Sequence, residues 1–104
     1  MAIGYLVLKN INNEILVIIN NTDKTVKELC LRNERGCLIR HIQEIEKDSK
    51  IKINLNKLDY LNFEYRYGEN IESILLRNKF EKRKKIKLII RSVYDDGKLD
   101  ILVK

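Results

Sequence analysis

The sequence predicts an all-β fold, a single-domain antiparallel β-sandwich. Three observations carry that expectation. Apolar residues recur mostly with period two, as in strands that turn one face to a core. Clusters of turn-forming polar residues interrupt these runs at spacings of roughly 8–12 residues, the rhythm of sandwiches and barrels. The chain has 104 residues, enough for one hydrophobic core and too few for two.

The elements follow in order. Residues 5–9 and 15–19 read as strands separated by Asn10-Ile11-Asn12-Asn13-Glu14. Asn20-Asn21-Thr22-Asp23-Lys24 is a turn, made of side chains that bond their own backbone. Val26, Leu29 and Leu31 open the next strand, and Asn33-Glu34-Arg35-Gly36 turns it back into residues 37–42. That stretch has a competing reading. Leu38, Ile42 and Ile45 are spaced i, i+4, i+7 among good helix formers, which suits a short helix over residues 37–47. Ile51, Ile53 and Leu55 resume the alternation after Asp48-Ser49. Residues 60–67 give the clearest strand, with Leu61, Phe63, Tyr65 and Tyr67 on one face and Asn62, Glu64 and Arg66 on the other. A strand over residues 72–80 follows the Gly68-Glu69-Asn70 turn. Residues 86–104 read as a hairpin about Asp95-Asp96-Gly97.

Residues 14–67 thus run as an apolar strand, an asparagine-rich turn, a strand, a polar loop and a charged bend, Glu44-Ile45-Glu46-Lys47-Asp48-Ser49-Lys50, before Ile51-Lys52-Ile53. This order resembles the early strands of small bacterial Ig-like or fibronectin type III-like sandwiches. The resemblance implies that the charged bend leads into a strand that changes sheets. It implies no activity, because such sandwiches serve mainly as scaffolds for binding surfaces.

Asn, Ile, Lys and Leu supply 55 of the residues, and proline and tryptophan are absent, which looks like the codon bias of an AT-rich genome. The net charge of +6 is unevenly spread. Residues 77–91 hold Arg77, Lys79, Lys82, Arg83, Lys84, Lys85, Lys87 and Arg91 against Glu81 alone, a local +7 that leaves −1 for the other 89 residues. These eight residues are the candidate binding site, and they are expected on a hairpin whose tip is Lys82-Arg83-Lys84-Lys85. As a plain solvated turn, the same lysines would guard neighbouring strands against pairing with other chains.

Catalysis finds little to work with. Cys37 and His41 lie four apart, but no orienting third group or oxyanion hole accompanies them. Cys30, Cys37 and His41 lack the spacing and the fourth ligand of a zinc site, and no glycine loop suits a phosphate. The expectation is therefore no enzyme, no metal and no cofactor. The longest apolar run, residues 15–19, is far below the ~18–20 residues of a membrane span, and residues 1–10 lack a signal-peptide pattern. That favours a cytoplasmic protein with two reduced thiols. The function expected is protein binding, as in an immunity or accessory protein, through a strand edge or the basic 77–91 hairpin. The alternative is nucleic-acid binding by the same segment on phosphates, which would call for exposed aromatic rings to stack bases.

Overall fold

A computed structural model describes residues 14–55, 58–80 and 83–104; the strand expected over residues 5–9 and the candidate residue Lys82 lie outside them. The described residues form eight strands: β1 (Ile15–Asn20), β2 (Val26–Arg32), β3 (Leu38–Ile45), β4 (Ser49–Asn54), β5 (Leu61–Tyr67), β6 (Asn70–Arg77), β7 (Lys85–Val93) and β8 (Leu99–Val103). They make two four-stranded sheets, β4-β1-β7-β8 and β3-β2-β5-β6. The fold is an all-β two-sheet sandwich. The pairing is antiparallel except between β1 and β7, which run parallel because β7 enters its sheet by crossing over from the other one.

Alternation explains the core. Leu16 and Ile18 of β1, Leu29 and Leu31 of β2, Leu61, Phe63 and Tyr65 of β5, and Ile86, Leu88 and Ile90 of β7 meet between the sheets. Each fully buried aliphatic or aromatic side chain there contributes about 1.5–3 kcal/mol by leaving water. The hairpin expected over residues 86–104 is present as β7–β8. Gly97 sits in its turn at φ +94°, and a Cβ there would come 3.2 Å from the Tyr67 Cβ. The charged bend after β3 does lead into a strand of the opposite sheet, β4.

Residues 38–45 are strand, not helix. Their helix-like spacing has a local cause. Val26 lies opposite Ile45 and Leu29 opposite Ile42, in one continuous register. All four are buried although each pair is three residues apart on its strand. Strict alternation would send one pair outward, and the chain absorbs the odd residue at Glu28, whose φ is +58°.

Two side chains fasten the sheets together. Asn20, fully buried at the end of β1, donates through Nδ2 to the carbonyls of Lys24 (2.8 Å), Ile45 (2.9 Å) and Glu46 (3.2 Å). Its Oδ1 accepts from the Thr22 hydroxyl at 2.7 Å and the Thr22 amide at 3.1 Å. Tyr65 on β5 reaches Leu99 on β8, whose backbone N–H donates to the phenol oxygen at 3.0 Å. Burial pushes the Tyr65 hydroxyl above its usual pKa, helped by nearby Glu72 and Tyr67, while the Leu99 hydrogen bond and Lys98 pull the other way.

Candidate functional site

The basic segment is not a hairpin. β6 belongs to one sheet and β7 to the other, so residues 78–84 are a crossover at the end of the sandwich. Nothing in the sequence distinguishes this from a hairpin, since both need a polar link between two alternating strands. The crossover disperses the seven candidates among the described residues. Arg83, Lys84 and Lys85 are exposed, and so are Lys79, Lys87 and Arg91. Lys79 places its Nζ 5.0 Å from the centre of the Phe80 ring. Arg91 is held by Asp100 through a 2.8 Å ion pair between Nη2 and Oδ1.

Arg77 leaves the candidate surface altogether. Alternation from Glu72, Ile74 and Leu76 would point it outward. A bulge intervenes, in which Leu61 pairs with Arg77 while Asn62 pairs with Leu75, so Leu76 and Arg77 are both buried. Its guanidinium donates through Nη2 to Glu14 Oε2 at 2.8 Å, with the Arg77 side chain only 1% exposed. Nε and Nη1 are buried and find no partner among the described residues. Buried donors in that condition cost about 1–3 kcal/mol each, more when the group is charged.

A different surface gathers the remaining charge. In the β4-β1-β7-β8 sheet the outward residues of β1 are Ile15, Val17 and Ile19, since Leu16 and Ile18 point to the core. Register places Lys52 and Lys87 on either side of Val17, and Lys50 and Ile89 on either side of Ile19. Lys85 stands beside Ile15, and Leu102 lies beyond Ile89 on β8. The outer face is therefore an apolar stripe along β1, with Ile89 and Leu102 extending it, flanked by Lys50 and Lys52 on one side and Lys85 and Lys87 on the other. Val17 itself is only 5% exposed between its two lysine neighbours. Backbones two strands apart are about 9.6 Å from each other, near the Debye length in physiological salt, so the four ammonium groups act jointly on anything that approaches. Lys50 and Lys52 were not legible as site residues. The sequence shows them as the outward half of an alternating strand, while their nearness to Lys85 and Lys87 depends on β1 pairing with both β4 and β7.

The other face of the sandwich has mixed charge. Arg32 Nε bonds Glu64 Oε2 at 2.6 Å, and His41 Nε2 lies 2.8 Å from Glu28 Oε2. Cys37 lies just before β3, and the His41 ring is turned to Glu28. The register partner of His41 is Cys30. Both cysteines are free thiols, and the described residues hold no cluster of metal-ligating side chains. No helix among the described residues is long and apolar enough to cross a membrane.

No family model matches the chain, and no curated protein does. Among solved structures it is similar to an NMR structure of a protein from Eubacterium rectale, at 12% sequence identity and a TM-score of 0.56, covering 88% of both chains. At that identity the likeness is one of fold.

Proposed function

We propose that the chain is a non-catalytic protein-binding module that docks an acidic partner on the outer face of its β4-β1-β7-β8 sheet. The observation that carries this reading is the pair of half-buried isoleucines, Ile15 and Ile19, on either side of the covered Val17 and between Lys50, Lys52, Lys85 and Lys87. An interface needs a central apolar contact to exclude water and a charged rim to select and steer its partner. Here both lie on consecutive strands of one sheet, with exposed Arg83 and Lys84 continuing the positive rim into the crossover. The Ig-like assignment of the sandwich belongs with this proposal and is supported by the charged bend that leads into sheet-changing β4. So does the role of an immunity or accessory protein, for which neutralising an acidic surface is a sufficient mechanism.

Nucleic-acid binding has one observation in its favour. Phe80 is 87% exposed beside the basic crossover, where a ring could stack on a base. Among the described residues, however, the lysine-flanked face carries aliphatic side chains and no aromatic ring, which suits a protein surface better.

The test is native co-purification with the wild type and with a variant carrying Lys50→Gln, Lys52→Gln, Lys85→Gln and Lys87→Gln. The expected result is an acidic protein recovered at constant ratio with the wild type and lost with the variant. Nuclease-sensitive material recovered at low salt, with no protein at constant ratio, would overturn the reading.

A further inference from the structure

The two sheets end in four edge strands, β4, β8, β3 and β6. Charge, irregularity and shortness are what keep such an edge from pairing with another chain, and three of the four have them. β4 carries Lys50 and Lys52, β8 is five residues long, and β3 carries exposed Arg40 and His41 with a shift of register between Leu38 and Arg40. β6 is different. It runs eight residues, Asn70–Arg77, without lysine or proline, and among the described residues it pairs with β5 alone. Its bulge falls at the last residues, so Asn70 to Leu75 keep a regular register. Glu72 is turned to its own molecule, where it accepts from the Tyr67 hydroxyl at 3.3 Å and lies 3.8 Å from Lys98 Nζ. The outward row of β6 is Ile71, Ser73 and Leu75, and Ile71 and Leu75 are 52% and 50% exposed.

We propose that β6 is the docking edge for a second copy of this chain, joined by an antiparallel β6–β6 pair about a two-fold axis at Ser73. The order of residues along the strand selects that occupant. A pair centred on Ser73 sets Ile71 of each copy opposite Leu75 of the other and Ser73 opposite itself, so apolar meets apolar twice on the outer face. On the inner face Glu72 comes opposite Ile74, and no two carboxylates meet. The ends match as well. Glu69 is exposed in the turn that starts β6, and Lys79 is exposed just past its end. Antiparallel pairing brings the Lys79 end of each strand beside the Glu69 turn of the other, so opposite charges approach at both ends of the contact. A strand self-complementary in both apolar side chains and charge fits its own copy better than an unrelated segment. The product is one continuous eight-stranded sheet made from two β3-β2-β5-β6 sheets. The lysine-flanked face belongs to the other sheet, so this inference does not rest on the docking of an acidic partner.

The experiment is sedimentation velocity of the whole chain over a concentration series from micromolar to millimolar. The expected result is a monomer–dimer equilibrium. Ile71→Lys combined with Leu75→Lys should give a monomer with unchanged β-type circular dichroism, because lysine would meet lysine at both outer contacts. Ile71→Glu combined with Leu75→Glu should do the same, and mixing the two double variants should restore a dimer. Ser73→Cys should cross-link under mild oxidation, since opposed residues of an antiparallel pair stand about 4.5–5.5 Å apart, inside the roughly 4.4–6.8 Å that a disulfide spans. Ile71→Cys, opposite a leucine, should cross-link no faster than the wild type with its two free thiols. A wild type that stays monomeric at millimolar concentration would overturn the proposal. So would a dimer that survives the lysine variant, a mixture that fails to dimerise, or equal cross-linking by the two cysteine variants. A dimer lost on changing Lys50, Lys52, Lys85 and Lys87 to Gln would also overturn it, by placing the contact on the other sheet.

Discussion

Asn20 shows how much one polar side chain can hold. It ends β1 in one sheet, and its amide donates to carbonyls that include Ile45 at the end of β3 in the other. Replacing it with alanine leaves a buried cavity and the Ile45 carbonyl without its donor. The expected loss is about 2–4 kcal/mol, measurable as a lower urea midpoint. Asn20→Asp should be worse at neutral pH, since a carboxylate would face three carbonyl oxygens, and its deficit relative to wild type should shrink on acidification as the acid gains a proton to donate. Tyr65 makes the complementary prediction at alkaline pH. Its folded pKa is raised above 10.0, so the unfolded chain loses this proton first. The stability that comes from keeping the phenol neutral is fully present below about pH 10 and is lost as pH rises through the folded pKa. Tyr65→Phe should cost about 1 kcal/mol at pH 7 by removing the acceptor of the Leu99 amide. It should also flatten the alkaline fall in stability; an unchanged slope in denaturant titrations between pH 9 and 11 would refute this cause.

At the scale of elements, departures from ideal strands decide which side chains face where. Glu28 at φ +58° lets Val26 and Leu29, three residues apart, reach the same core. The left-handed conformation costs a residue with a Cβ about 1–2 kcal/mol. Glu28→Gly should therefore stabilise the protein by up to about 1 kcal/mol despite the lost exposed contact with His41, which is worth little. Glu28→Val, β-branched and so ill suited to positive φ, should destabilise it; thermal unfolding of the pair checks both signs. The bulge at the end of β6 acts in the same way on Arg77, turning an outward position inward.

For the molecule as a whole, the lysines that flank β1 lie on a surface and not in the core. Changing Lys50, Lys52, Lys85 and Lys87 together to Gln should leave the β-type circular dichroism intact and move stability by less than about 0.5 kcal/mol per site, because like charges are being removed from one face. If the face docks an acidic protein, the variant should associate more slowly and with a shallower dependence on salt, with dissociation changed less. Equal association rates at low salt for both proteins would place the contact elsewhere.

The sequence by itself determined most of the described strands and, where alternation is strict, their inward faces. Residues 61–67 alternate as Leu, Phe and Tyr against Asn, Glu and Arg, and they are read correctly because period two is a property of the strand alone. The β7–β8 hairpin was equally legible, since Asp95-Asp96-Gly97 supplies the turn where it is needed. What only the tertiary structure decided is which strands are neighbours. Whether residues 78–84 return the chain to its own sheet or carry it across depends on the packing of both layers, and a polar link serves either course. That choice separated Arg77 from Lys87 and brought Lys52, distant in sequence, to the far side of Val17. The bulge at Leu76 and the positive φ at Glu28 belong to the same class. Each reverses the side of a strand to fit a core whose other half is made by residues far along the chain, so no local pattern could reveal them.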